Sequence, residues 1–425
     1  MFTYRLNYII YFLLVGSSVY VDSPFTLLFG AAGLSPAFVF SFALVPFLLL
    51  DNNECDFPNI VLPLLKLAFW ILVIGFFANV IYTISGSSEI RSYNIFVKNV
   101  NVFLQVVSYP LYLFQVYHFG KNLDIKHIFF PIIFVFLLLT FFCVLEFIQL
   151  PNAFLYLHFS HPEPYHRIRL LAYEASITAS IIINFFVLSF YYAFAMKRNL
   201  WICTIIIFSF IVLIFLSSSK NLFIETFFFF LVLFVYSLKK LNMKNILLYT
   251  MSLFFLTFFL VWISQRLSGA VAHDLENYTS TATRTFSIVN GYLIGLKYPL
   301  GVGGGIWQQV LSDSMMENLK IVEKMMPNLN FNEIIFYCQN FSRSNTAKSA
   351  LAQCCMYWGI AGTIYFLHAA KLFYNNLKKQ NIIGKNILKS ALVANLISIS
   401  FQTDFQYDMF LLLAIPFLLY RKALR

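Results

Sequence analysis

Charge is scarce in this chain. Of 425 residues, only 11% are Asp, Glu, Lys or Arg, and acidic residues number 18 against 29 basic ones. A water-soluble domain needs far more charge on its surface, so that class is excluded. Cysteine is equally sparse. Cys55, Cys143, Cys203, Cys338, Cys354 and Cys355 form no C-x-x-C pair, and most lie in apolar surroundings where a thiol acts as a small hydrophobe. This excludes a disulfide framework and a cysteine-ligated zinc module. No G-x-x-x-x-G-K-[ST] is present, and no G-x-G-x-x-G joins a strand to a helix. Any chemistry must therefore be driven by the substrate itself or by an ion gradient.

Apolar sequence takes the place of charge. Hydrophobic residues make up 60% of the chain, aromatics 19%, and mean hydropathy is +0.76. Apolar runs near the length needed to cross a bilayer, roughly 20 residues, fall at 5–21, 35–50, 60–84, 96–118, 128–149, 173–195, 200–216, 221–238, 246–263, 346–372, 386–402 and 405–421. The expectation is an all-α polytopic transmembrane bundle of about 12 helices forming one domain over 1–425. The stretch 24–33 is too short to span alone and either extends a neighbouring helix or lies at the outer surface. A basic flank with Arg5 and no cleavage site marks the first helix as an uncleaved signal anchor.

The net charge of +11 does not indicate nucleic acid, because its distribution is that of a membrane protein. With the N-terminus inside, Arg5, Lys121, Lys126, Lys197, Arg198, Lys239, Lys240, Lys244, Lys371, Lys378, Lys379, Lys385, Lys389, Arg421, Lys422 and Arg425 all fall in cytoplasmic loops. Both termini are then cytoplasmic and the helix count is even. The acidic loop 51–59, with only Lys66 near it, is the exception. One long polar stretch, 264–345, interrupts the apolar segments before the last three helices. This topology places it on the outer side as a loop containing short helices.

A second set of cations remains outside: Arg167, Arg169, Lys220, Arg266, Arg284, Lys297, Arg343 and Lys348. The acids Glu146, Glu174, Glu225 and Asp404 map to outer helix ends with them. Outer cations run against the positive-inside bias. They call either for an anionic ligand at the membrane surface, such as a lipid phosphate or pyrophosphate, or for simple headgroup contact by snorkelling side chains. Arg169 and Glu174 flank one helix start, either as working groups or as a structural clamp. His158, His161 and His166 share that loop, but their spacing fits no metal-ligand pattern, and no metal site is expected.

Within the long stretch, 268–285 is rich in Ser and Thr and reads as irregular. Residues 285–298 read as a short helix. Pro299-Leu-Gly-Val-Gly-Gly-Gly305 follows, either a bare-amide cradle for an anion or only a turn. Over 306–326, Val310, Met315, Leu319, Val322 and Met326 recur at helical steps opposite Glu317, Lys320, Glu323 and Lys324. That is an amphipathic helix, ended by Pro327, that lies on the outer leaflet or roofs the bundle.

These segments together resemble the superfamily of O-antigen ligases and Wzy-type polymerases. Arg169-Leu-Leu-Ala-Tyr-Glu174-Ala-Ser looks like that family's Arg-x-x-Gly-x-x-Glu-Pro-Ser, with Ala172 and Ala175 replacing Gly and Pro. Ser217-Ser-Ser-Lys220 looks like its Ser-Arg junction, with Lys for Arg. Arg284 with Lys297-Tyr-Pro-Leu-Gly-Val-Gly-Gly-Gly305 resembles its Arg…His-Pro-Leu-x-Gly-x-Gly block, and Arg284 to Gly295 fits Arg-x10-Gly. Lys348-Ser349, nine residues, then Gly359-Ile-Ala-Gly362-Thr363 is similar to the ligases' His-[Asn/Ser/Gln]-x9-Gly-x-x-Gly-Thr, with Lys in the His position.

The resemblance implies a bacterial inner-membrane polymerase of polysaccharide that joins undecaprenyl-pyrophosphate-linked O-antigen repeat units on the periplasmic face. It implies Arg169, Glu174 and Arg284 as catalytic, with Glu174 the candidate base. Lys220, Arg343, Lys348, Gly301 and Gly303 would hold pyrophosphate or glycan. No cofactor or metal is implied. The implied partners are the lipid-linked oligosaccharide, membrane lipids and a chain-length regulator protein. The alternatives are an O-antigen ligase, disfavoured by Lys348 where the ligases carry His, and a lipid-linked oligosaccharide flippase or transporter, disfavoured by the long outer loop.

Overall fold

The computed structural model describes residues 2–50, 60–85, 89–90, 93–159, 163–197, 199–217, 219–238, 243–267, 279–327, 330–339, 346–379, 384–400, 402 and 405–424. Arg343, His161, Asp404, the loop 51–59 and residues 268–278 lie outside that set, as does the side chain of Lys220. The fold is all-helical apart from a two-residue antiparallel pairing of Glu89–Ile90 with Tyr93–Asn94. Each expected apolar segment is helical, but there are more helices than segments. The stretch 35–50 forms two short helices, Pro36–Ala43 and Val45–Leu50, and 24–33 forms the helical turn Thr26–Phe29 and a 3-10 turn rather than extending a neighbour.

Among the described residues, five helices are long and apolar enough to cross a membrane: Val61–Ile84, Ile125–Gln149, Ala175–Met196, Leu200–Ser217 and Ala350–Lys378. Ala175–Met196 is the central one, 94% buried within the molecule, whereas Val61–Ile84 is 28% buried and turns most of its apolar surface outward. The bundle interior carries polar pins as well as apolar packing. Asp408 accepts from Ser180 (3.1 Å) and Asn184 (2.6 Å), Asn184 and Asn395 bond each other, and Glu225 accepts from Ser398 (2.7 Å) and Gln402 (2.9 Å). In an apolar surrounding such bonds fix helix register where oily packing alone is permissive.

Among its described residues the polar stretch contains three helices, Thr279–Lys297, Trp307–Met325 and Asn332–Gln339. The Ser/Thr-rich start expected to be irregular is helical from Thr279 onward. Tertiary packing overrides the weak local propensity, because Ala282 and Phe286 bury against Met315, Leu319, Val322, Phe331 and Ile334. Trp307–Met325 is the amphipathic helix expected there. Its Leu311, Met315, Leu319 and Val322 are buried, and the helix stops one residue before Pro327.

Glycine sets how closely these helices approach the bundle. Gly291 lies against Ala347 and Ala352, and Gly295 against Cys355, so Thr279–Lys297 packs along the first turns of Ala350–Lys379. The latter breaks at Gly359 (φ 67°, ψ −176°), where Gly301 meets it backbone to backbone. The segment Pro299–Gly305 and the segment Gly359–Thr363, singled out separately in the sequence, are two sides of one contact.

Candidate functional site

Arg284 occupies the second turn of Thr279–Lys297, exposed at its tip, on the same face as Gly291 and Gly295. Eleven residues turn a helix through about three full turns, so the Arg-x10-Gly spacing puts both groups on one stripe. The glycines clamp that stripe to the helix starting at Ala350, and Arg284 is thereby delivered to the residues just before that start. Ser349 caps this second helix. Its Oγ accepts from the Ala352 amide at 3.1 Å. Lys348, in the left-handed region at φ 53°, precedes the cap and is half-buried.

Arg284 and Lys348 line one cavity of about 140 Å³ with Thr283, Phe286, Ser287, Met315, Glu333, Ile334, Tyr337 and Thr346. Glu333 is its carboxylate. It accepts from Thr283 Oγ1 (2.7 Å) and Tyr337 Oη (2.8 Å), and that bond, with burial second, raises the Tyr337 pKa above its ordinary value. Among the described residues the cavity thus holds two cations, one acid, several hydroxyls and an apolar floor. Such a set can bind a polyanion and receive a proton beside it. Sequence reasoning missed Glu333 and Tyr337, because Asn332–Gln339 is only 8 residues long, and Thr283, because the Ser/Thr-rich stretch that holds it read as irregular. The one available signal was Glu333 and Tyr337 at i, i+4.

The other expected residues lie elsewhere. Arg169 is 1% exposed, its guanidinium stacked 5.0 Å from the Tyr165 ring centre and donating to the Glu163 carbonyl at 3.3 Å. The Arg169 and Leu170 amides both donate to Glu146, at 2.9 and 2.8 Å, and Asp22 also acts on Arg169 electrostatically. Residue 169 therefore ties its loop to the helix carrying Glu146. Glu174 is the N-cap residue of Ala175–Tyr191, where Ser176 Oγ donates to its carboxylate at 2.9 Å. Lys220 starts the helix Lys220–Ser237 beside it, since Ser219 Oγ bonds the Ala175 carbonyl at 3.3 Å. Arg169, Glu174 and Lys220 thus gather around one helix start. Neither Arg169 nor Glu174 lines the Arg284–Lys348 cavity.

Gly301 and Gly303 do not line it either. Their amides donate to the Tyr298 carbonyl (2.8 Å) and the Tyr357 carbonyl (3.2 Å), while Val302 and Gly304 donate to the Met356 carbonyl (2.9 Å) and Asn99 Oδ1 (2.8 Å). The glycine-rich turn spends its amides on protein oxygens. Of the three loop histidines, His158 is buried on Asp22, Nδ1 to Oδ2 3.2 Å. Among the described residues no group of three or more His, Cys, Asp and Glu is placed to hold a metal ion. Comparison with protein-family models, with curated proteins and with solved structures returns no match to this chain.

Proposed function

We propose that this protein is a glycosyltransferase of the bacterial inner membrane that polymerises undecaprenyl-pyrophosphate-linked O-antigen repeat units at the periplasmic ends of its helices, both termini being cytoplasmic. The observation that carries the reading is the shared cavity of Arg284 and Lys348. Two cations far apart in sequence, each placed separately by the resemblance, line one space at the start of a helix.

In the reaction, an acceptor hydroxyl oxygen attacks the anomeric carbon of the growing chain. The bond from that carbon to the pyrophosphate oxygen breaks, and undecaprenyl pyrophosphate leaves with the electron pair. Arg284 and Lys348 stabilise the charge that develops on the leaving oxygen. The hydroxyl proton passes to a carboxylate. Glu333 is the one in the cavity, and it replaces Glu174 as the base in this reading. Because the donor is already activated, neither ATP nor a metal is required. Arg169, Glu174 and Lys220 then act as the frame of the neighbouring helix start.

Lys348 is read as a charge rather than as a shape. Elongation should fall in the order Lys348→Arg, Lys348→Gln, Lys348→Glu, with the first retaining substantial activity. Purified protein supplied with lipid-linked repeat units should lengthen them in EDTA without ATP or a second protein. Full activity of Lys348→Glu, or arrest by EDTA reversed by magnesium, refutes the respective part. A deletion that leaves single repeat units on the lipid A-core supports a polymerase. One that leaves polymer on undecaprenyl pyrophosphate and none on the core marks a ligase instead.

A further inference from the structure

We infer that the turn Pro299–Gly305 enters the hydrocarbon of the bilayer as a re-entrant tip, and that its apolar side chains are a contact surface for lipid acyl chains. The long polar stretch would then be not a loop wholly in water but one that dips back into the membrane. The inference does not depend on which side of the membrane that stretch occupies. It rests on where the tip touches Val61–Ile84, one of the five helices long and apolar enough to span.

A Cβ added to Gly303 would fall 2.0 Å from the Gly75 Cα, and Trp70 Nε1 donates to the Leu300 carbonyl at 3.0 Å. At ~1.5 Å per residue, Gly75 lies about 21 Å along the axis from Val61 and about 13 Å from Ile84. The helix is about 36 Å long and the hydrocarbon core about 30 Å thick. Even with the whole excess at the Ile84 end, Gly75 stays roughly 7 Å inside the core and Trp70 roughly 15 Å. With the whole excess at the Val61 end instead, Trp70 still stays roughly 7 Å inside, so Leu300 lies within the core whichever way the helix points. On its other flank the tip meets the break at Gly359, itself inside the spanning helix that begins at Ala350.

Irregular backbone survives at that depth only if its polar groups are satisfied by protein. Six of this turn's backbone groups meet the condition, the amides of residues 301 to 304 and the carbonyls of Pro299 and Leu300. The amides of residues 301 to 304 all have the partners given above, Ala361 donates to the Pro299 carbonyl at 3.2 Å, and Pro299 has no amide hydrogen to place. The side chains are what remains exposed. Leu296 and Leu300 are 56% and 53% exposed, and Leu300 contacts Trp70 of the spanning helix, where Phe69, Phe76 and Phe77 are 53% or more exposed. That face must meet acyl chains in a helix that crosses, and the tip continues it. Lys297 does not break the pattern, because its stem carries the ammonium to Glu317 at 2.8 Å.

The test is site-directed labelling in lipid nanodiscs, with Cys338 replaced by serine. Leu300→Cys should react with a hydrophilic maleimide roughly tenfold or more slowly than Lys320→Cys on the exposed face of Trp307–Met325. Both should react fully once denatured. A bimane attached at position 300 should be quenched by lipids brominated along their acyl chains. Fast aqueous labelling of Leu300→Cys would place the tip in water and overturn the inference. Slow labelling without bromine quenching would also overturn it, since protein, such as a second copy, would then cover the tip.

Discussion

Arg284→Ala is expected to lower elongation of lipid-linked repeat units by at least about a hundredfold, the usual effect of removing one preorganised group from a developing charge. The protein should still fold and insert. The Arg284 side chain is exposed, and its helix is held by other residues: Ala282 and Phe286 on one side, Gly291 and Gly295 on the other. Removing an exposed side chain from such a helix should change stability by less than about 0.5 kcal/mol. Arg284→Lys should remain poor, because an ammonium on a flexible stem does not reproduce the two-pronged guanidinium contact to phosphate oxygens. The measurement is glycan length at matched expression, alongside the melting temperature of the purified variants. Near-normal polymer in Arg284→Ala would remove this residue from the site and leave Lys348 as the cavity's cation.

The membrane helices were legible in the sequence because long apolar runs leave few alternatives. The site was legible only where a single helix carried the signal. Arg284 and Gly295 stood out together through the resemblance's Arg-x10-Gly spacing, and the structure puts both, with Gly291, on one stripe of a helix. Glu333 gave no such signal. Its helix is too short to show a period, and it reaches the cavity through contacts with Thr283 and Tyr337. Arg169 and Glu174 read either as working groups or as a clamp at one helix start, and the structure adds Glu146, on the preceding helix, which accepts the Arg169 amide. The glycine-rich turn read either as a cradle for an anion or as only a turn, and two of its amides go to the carbonyls of Met356 and Tyr357 far downstream. Long-range backbone pairing leaves no local pattern to read.

The same backbone crossing makes two of its glycines sensitive to any side chain. Gly359→Ala and Gly303→Ala should each destabilise the fold by more than about 3 kcal/mol. Both positions are left-handed, φ 67° and 68°, which costs an L-residue roughly 1–2 kcal/mol before any contact is considered. The contacts are worse. A Cβ at Gly359 would lie 2.1 Å from the Pro299 carbonyl oxygen and 2.5 Å from the Gly301 amide nitrogen, and one at Gly303 would lie 2.0 Å from the Gly75 Cα. These are backbone atoms of packed elements, so no rotamer change relieves the overlap and a helix must move. Gly16→Ala is the control, since a Cβ there meets nothing within 4 Å and should gain up to about 1 kcal/mol in a helix. Thermal unfolding and monodispersity in detergent read all three. Wild-type melting in Gly359→Ala and Gly303→Ala would mean the crossing is looser than described. The same experiment separates two meanings of a conspicuous motif. If these glycines serve packing, their variants lose activity and stability together, whereas Arg284→Ala loses activity alone.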